Sequence, residues 1–234
     1  MIPKIIHYCW FGKHPLPEHN QRCLQSWQRL CSDFKIVRWS EANFDCDRYP
    51  FTKRAYRLRN WSAISDYVRL YALKKMGGVY LDTDVKMIRS IRPLLNQMAF
   101  IGMENPRAIA SGLIFGTEPN DPNVNELLKI YNHLGKLDKF ESLLNDQVYI
   151  TTAHFRRAGF RFINQKQVVD NCLIYPTSYF CPEMLDDSKP KLTTHTYTIH
   201  EYDGSWSSEN ERERQVTFNL ELNSKLSFYL KLMN

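Results

Sequence analysis

Apolar and polar positions change period twice in about the first forty residues. The run "PKIIHYCWFG" (3–12) is almost continuously apolar and stops at Gly12, which predicts a short buried strand, with the prolines of "KHPLP" marking a loop. In "EHNQRCLQSWQRLC" (18–31), Cys23, Leu24, Trp27, Leu30 and Cys31 fall at helical spacing, and "FKIVRWS" then reads as a second strand. Strand, helix and strand in that order open an α/β sheet.

The helical period returns in "NWSAISDYVRLYALKKMGG" (60–78). There Ile64, Val68 and Tyr71 form one stripe, Ser62 is the candidate N-cap, lysines occupy the last turn and Gly77 is the stop. "VYLDTDV" (79–85) follows as a strand, and alternation places Val79, Leu81, Thr83 and Val85 on one face and Tyr80, Asp82 and Asp84 on the other. "FIGMEN" and "SGLIFGTEP" predict further strands, and residues 123–134 and 138–144 predict helices. Beyond about residue 165, "NCLIYPTSYFCP" predicts a strand and loop, "HTYTIHEYDGSW" predicts a strand running into a loop, and the last twenty residues carry both signals. No repeat, low-complexity tract or linker divides the chain, so residues 1–234 are expected to form a single domain.

Composition narrows the function. At 234 residues and 43% hydrophobic, the chain can bury a sizeable core, which excludes a disordered tail. Its six cysteines include no C-x-x-C pair, so reduced thiols in a cytoplasmic protein are expected rather than a structural zinc site. "MIPKIIHYCWFG" has the pattern of neither a secretory signal nor a spanning helix. The net charge of +6 is spread out, and no nucleic-acid partner is expected. Arginine is concentrated beside aromatics only in "TKRAYRLRN" (52–60) and "HFRRAGFRF" (154–162), a composition suited to weak peripheral contact with acidic lipid headgroups.

The two acids of "LDTDV" are the main candidate chemistry. Carboxylates held side by side raise each other's pKa unless a cation sits with them, and oxygen ligands favour hard divalent ions such as Mg²⁺ or Mn²⁺, which keep coordination positions for phosphates. Asp66 and Arg69, three apart on a helix, face the same side and can offer an acceptor and a donor fork to adjacent polar groups of a ligand. The plainer reading of that pair is a local ion pair of about 0.2–0.5 kcal/mol. In the first strand His7, Tyr8 and Trp10 flank the position where an α/β sheet admits a nucleotide, with Tyr8 or Trp10 able to stack on a base. For His7 a satisfied core position is an equal reading.

"SAISDYVRLYALKKMGGVYLDTDV" together with "IPKIIHYCWFGKHPLP" resembles the D-x-D-containing sugar-nucleotide glycosyltransferases of glycosyltransferase family 32, common in bacterial polysaccharide clusters. The resemblance covers roughly the first 90 residues well and returns at "IHEYDGSW". It implies a GT-A type, Rossmann-like α/β fold with a mixed central sheet. Residues 1–100 would mainly bind the nucleotide sugar, and 101–234 would supply the acceptor side and a C-terminal metal and diphosphate loop.

The activity implied is retaining transfer of a hexose or N-acetylhexosamine, from a UDP-sugar first and GDP-mannose second, to a glycan or lipid-linked glycan at the cytoplasmic membrane surface. Carried over by position, Asp84 ligates Mn²⁺ or Mg²⁺, Asp82 contacts the ribose and the metal, and Asp66 and Arg69 hold hydroxyls of the donor sugar. His200 completes the metal shell, Ser205 and Trp206 donate to the diphosphate, and Ser111 and Gly112 border the reacting centre. Two rivals remain at this level. One is a haloacid-dehalogenase-like phosphatase with Asp82 as nucleophile and Asp84 as general acid, although such a strand normally opens the domain. The other is a noncatalytic sugar-nucleotide-binding module.

Overall fold

The computed structural model describes residues 1–186, 189–202 and 211–233. The first half of the chain runs β1 (Ile5–Cys9), α1 (Glu18–Leu30), β2 (Lys35–Trp39), α2 (Pro50–Arg57), α3 (Trp61–Met76), β3 (Gly78–Tyr80) and β4 (Val85–Met87). It continues through β5 (Ala99–Asn105), β6 (Ala108–Ile109), β7 (Phe115–Thr117), α4 (Pro122–Leu134), α5 (Gln147–Arg157), β8 (Gln167–Val169) and β9 (Cys172–Tyr175). The remaining elements are α6 (Thr177–Phe180), β10 (Met184–Asp186), β11 (Lys189–Pro190), β12 (Thr198–His200) and α7 (Glu211–Leu232).

The central sheet has the order β2-β1-β3-β7-β5-β9-β8, with β6 added beside β5. It is mixed: β1 pairs in parallel with β2 and β3, β7 runs antiparallel to β3 and β5, and β5 pairs in parallel with β9. Side chains alternate between two cores. Tyr80, Ala99 and Ile101 join the side packed by α2, α3, α4, α5 and α7, whereas Val79, Leu81 and Phe100 join the side that receives Trp27 and Cys31 of the α1 region. The sheet is therefore covered on both faces, which is why its strands read as unbroken apolar runs.

α3 is buried on nearly every side, including Asp66 and Arg69, because it lies between the sheet and the helices α2 and α4. Its N-cap is Asn60, whose side chain accepts from the Ala63 amide; Ser62, the residue expected there, instead donates to the Asn60 carboxamide at 2.8 Å. The cap is set two residues earlier because Asn60 is the residue outside the helix whose oxygen reaches the orphan amide. At the other end Gly77 and Gly78 take φ of 61° and 99°, and a Cβ at Gly78 would lie 2.7 Å from the Ile5 carbonyl oxygen. Only glycine fits both the backbone conformation and this approach of β3 to β1.

Three further expectations change. The strand carrying the two acids ends at Tyr80, and residues 82–85 form a turn closed by Val85 N–H donating to the Asp82 carbonyl at 3.1 Å. The segment 177–180, expected as loop, is the short helix α6, and the mixed signal at the C-terminus resolves as α7. α7 packs on α5 through Leu222, Leu226 and Tyr229, a spacing of four and three that marks one helical face.

Candidate active site

The D-x-D turn is built from three directions. The Asp82 amide donates to the Gly112 carbonyl (2.9 Å) on the approach to β7, so Asp82 leaves the sheet beside that strand. Thr83 turns the other way and accepts from Asn20 of α1 (3.0 Å), which frees both flanking acids to point together. β12 then pairs antiparallel with β4, His200 opposite Val85, and the Glu201 amide donates to the Asp84 carbonyl at 3.0 Å. This pairing delivers His200 from 116 residues away to 3.2 Å from Asp84 Oδ1.

Asp82, Asp84 and His200 thus place one ligand atom each within 4.8 Å of one another. Two carboxylate oxygens and an imidazole nitrogen suit Mn²⁺ or a similar divalent ion. Among the described residues the buried Nδ1 of His200 has no hydrogen-bond partner, and the ring is held by Asp84 and by contact with Tyr202 at 4.0 Å between ring centroids. Burial works against charging His200, but Asp84, its hydrogen bond, Asp82 and Glu104 outweigh it and raise the pKa to about 9. Protonated His200 offsets the charge of Asp84, as Arg69 does that of Asp82.

Arg69 is the second organising charge. Its Nη2 lies 2.9 Å from Asp66 Oδ1 and 3.2 Å from Asp82 Oδ1, and the guanidinium sits over the Tyr80 ring at 4.8 Å. Tyr80 also donates its hydroxyl to Asp82 Oδ1 at 2.8 Å. Burial raises the Asp66 carboxyl to about 7, Arg69 opposing the shift and Asp82 adding to it. Burial also opposes the charge on Arg69, yet Asp82, Tyr80 and Asp66 hold its pKa well above the ordinary value. The pair whose plainer reading was a local ion pair is therefore an internal bridge from α3 to the D-x-D turn. Gly112 completes the contact, since a Cβ there would fall 2.1 Å from Asp82 Oδ2 and 2.6 Å from an Arg69 guanidinium nitrogen.

These groups line a cleft of about 780 Å³. Asp66, Arg69, Asp82, Asp84 and His200 all reach it. Ser111 does not line it directly; it is buried and accepts from Gln147, which does. Ser205 and Trp206 lie outside the described residues.

The first strand contributes Cys9 to the described lining of the cleft, while His7, Tyr8 and Trp10, the residues singled out in it, are placed elsewhere. His7 is fully buried, its Nδ1 accepting from the Trp39 indole (3.1 Å) and its Nε2 2.8 Å from the Gly77 carbonyl. This pattern fixes the neutral Nε2–H tautomer and makes the ring a brace for the Gly-Gly turn. Burial lowers its pKa to about 4. Tyr8 stands edge-on to Trp27, and Trp10 is buried with its indole donating to the His14 carbonyl; neither is among the described residues lining the cleft. The apolar run is the reason: β1 lies between β2 and β3 in a sheet covered on both faces, so His7 and Trp10 are buried and Tyr8 is half-buried.

Sequence reasoning missed the far wall. Asn145, Asp146, Gln147 and Tyr149 line it at the start of α5, and Phe218 and Glu221 line it from α7. Asp146 receives Lys225 Nζ and the Tyr229 hydroxyl, both at 2.7 Å, so it fastens α7 to α5. The signal available was "NDQVY", polar cap-forming residues directly before an apolar helical run.

Residues 17–101 match the model described as "Glycosyltransferase sugar-binding region containing DXD motif". The chain is similar to the mannosyl phosphorylinositol ceramide synthase SUR1 of Saccharomyces cerevisiae, 30% identical over 148 residues, which are 58% of this chain and 36% of that protein. It is also similar to inositol phosphoceramide mannosyltransferase 3 of Schizosaccharomyces pombe, 32% identical over 117 residues, 48% of this chain and 33% of that protein. The chain thus spans about a third of the length of these curated relatives. Among solved structures, the PaToxG glycosyltransferase superposes with a TM-score of 0.51 at 16% identity over 67% of this chain and 68% of that one, a likeness of fold. Where a bacterial polysaccharide enzyme was expected, the curated relatives are fungal. Residues 17–101 are thus similar to the DXD-containing sugar-binding region of glycosyltransferases, and the fold they help build is of the GT-A type.

Proposed function

We propose that the protein transfers a hexosyl group from a nucleoside-diphosphate sugar to a glycan or lipid-linked acceptor, with retention of anomeric configuration and with a divalent ion held by Asp82, Asp84 and His200. The observation that carries this reading is the meeting of those three side chains in a cleft whose other side holds the Asp66–Arg69–Asp82 bridge. When bound, the ion offsets negative charge on the departing diphosphate. Arg69 fixes Asp66 and Asp82 so that their remaining lone pairs can accept from donor hydroxyls, and being locked in place they need no reorganisation as charge develops. Ser205 and Trp206 are assigned to the diphosphate by the family resemblance alone.

Retention by same-face departure needs no enzyme nucleophile, whereas a double displacement needs a free carboxylate. Among the described carboxylates of the cleft outside the proposed metal ligands, Asp146 is engaged by Lys225 and Tyr229, Asp66 by Arg69, Glu221 by the Tyr149 hydroxyl and Glu104 by the Tyr202 hydroxyl, which supports the same-face route. The relatives' names move mannose to the front of the candidate sugars, so GDP-mannose stands beside the UDP-sugars as donor. They also add a glycolipid to the polysaccharide acceptors first expected. Residues 1–100 and 101–234 each line the cleft, which supports one domain with a donor side and an acceptor side.

Contact with an acidic membrane surface on the cytoplasmic side would use Arg57, Leu58 and Arg59, exposed at the end of α2. Arg54 is not available for it, since it binds the carbonyls of Gly135 and Leu137. No helix among the described residues is long and apolar enough to cross a membrane.

The test is release of free nucleotide from a panel of UDP- and GDP-sugars, with acceptor glycans and glycolipids, with and without Mn²⁺. Release from one donor that requires Mn²⁺ and is lost in Asp84→Ala is the expected result. Nucleotide-sugar binding without release from any donor would leave a binding module in place of the transferase. The phosphatase alternative is not carried forward, because the matched region and the fold are those of glycosyltransferases.

A further inference from the structure

We propose a second metal site, for a soft divalent ion of the Zn²⁺ class, formed by His19, Cys23 and Glu201 on the opposite side of β12 from the D-x-D cluster. His19 and Cys23 are four residues apart on α1, so one helical face presents both. Glu201 directly follows His200, and consecutive extended residues point to opposite faces. His200 therefore turns to Asp84 and Glu201 to α1.

One oxygen is common to both contacts. Glu201 Oε2 lies 3.0 Å from His19 Nε2 and 3.7 Å from Cys23 Sγ, and one ligand atom of each residue falls within 4.8 Å of the other two. Among the described residues the buried His19 nitrogen forms no aligned hydrogen bond despite that approach, and Cys23 donates its thiol to the same Glu201 oxygen, so an imidazole nitrogen, a sulfur and a carboxylate oxygen face one another. Lys86 reaches the other oxygen, Oε1, at 3.5 Å and leaves Oε2 to the site.

Ligands of a tetrahedral zinc ion lie roughly 3.3–3.6 Å apart, so small side-chain rotations close the trio around an ion, with water in the fourth position. Thiolate, imidazole and carboxylate together select Zn²⁺ over Mg²⁺ or Mn²⁺, whereas Asp82, Asp84 and His200 offer no sulfur. On metal entry the Cys23 proton leaves to solvent as the S–metal bond forms. The bound ion would tie α1 to the strand that supplies His200. The absence of C-x-x-C spacing argues against a zinc site made of cysteines, and this one uses a single thiol.

Titration of the metal-free 234-residue protein with Co²⁺ in a non-chelating reductant tests the assignment. A thiolate-to-cobalt charge-transfer band that saturates with one equivalent is expected. The band should be absent in Cys23→Ser, require roughly tenfold or more Co²⁺ in His19→Ala, and persist in Asp84→Asn. His19 is partly exposed, so His19→Ala tests the site even if Cys23→Ser fails to fold. No band in the wild type, or a band that survives Cys23→Ser or is unchanged in His19→Ala, would overturn the proposal. The readout needs no donor or acceptor, so its failure is distinct from failure of the transferase reading.

Discussion

Replacing Arg69 with Met keeps much of the side-chain volume and removes the one guanidinium that bridges Asp66 and Asp82. The Asp66 side chain is 9% exposed, so its charge is left almost without solvent, while Asp82 at 28% recovers part of its hydration. Breaking a buried pair from one side costs about 3–5 kcal/mol, and the screening available to Asp82 places the expected loss near ~3 kcal/mol. For a chain of this size that is a fall in Tm of roughly 6–12 °C.

The pH dependence adds a second constraint. Asp66 has its pKa raised in the fold, to about 7, so its contribution to stability is present below the ordinary carboxylate range and is lost as pH climbs through that value. Without Arg69 the ionised form has no partner, and the deficit should be widest above about pH 7 and narrow toward about pH 5. Asp66→Asn in the Arg69→Met background should recover part of the loss. Thermal unfolding of the four proteins across that range is the assay. A Tm within about 2 °C of wild type, or a deficit that ignores pH, would refute the bridge as drawn.

The remaining predictions concern the cleft. Because the His200 proton competes with a bound ion, Mn²⁺ affinity should rise with pH by up to about tenfold per unit until the pKa of about 9 is passed. Calorimetric titration at several pH values checks the slope, which His200→Ala should flatten. In the metal-free protein the sign is reversed: the raised pKa gives the His200–Asp84 pair a stabilising contribution that is full below the ordinary histidine value and fades as pH rises through about 9. Gly112→Ala would drive a Cβ to 2.1 Å from Asp82 Oδ2. Overpacking of this kind costs about 1–3 kcal/mol, and the displaced acid should also abolish Mn²⁺-dependent nucleotide release; unchanged Mn²⁺ affinity and release in a folded variant would count against the site.

Local patterning was enough to locate β1, α1, β2, α3 and the two acids, because each depends on period, glycine placement and residue type within a short window. It could not locate the end of the D-x-D strand. Whether residues 82–85 extend or turn depends on Gly112 capturing the Asp82 amide and Asn20 capturing Thr83, contacts made across the sheet and from α1. Both acids converge all the same, through a turn in place of strand alternation.

His7 shows the limit most clearly. As a residue type in a nucleotide-admitting strand it is a candidate ligand, and only its two partners, Trp39 and Gly77, make it a neutral brace. Asp66 and Arg69 were legible as a pair on one helical face, but not as a buried bridge to Asp82, since burial of α3 is decided by the helices packed around it. The same holds for α5 and α7. Their polar residues enter the cleft through a long-range contact between Asp146 and Lys225. Chain order thus specified the local elements and the chemistry available. Pairing between residues far apart decided which of those groups face the cleft and which are consumed by the core, because the energy of a buried charge or an unpaired polar group is set by neighbours that a local window does not contain.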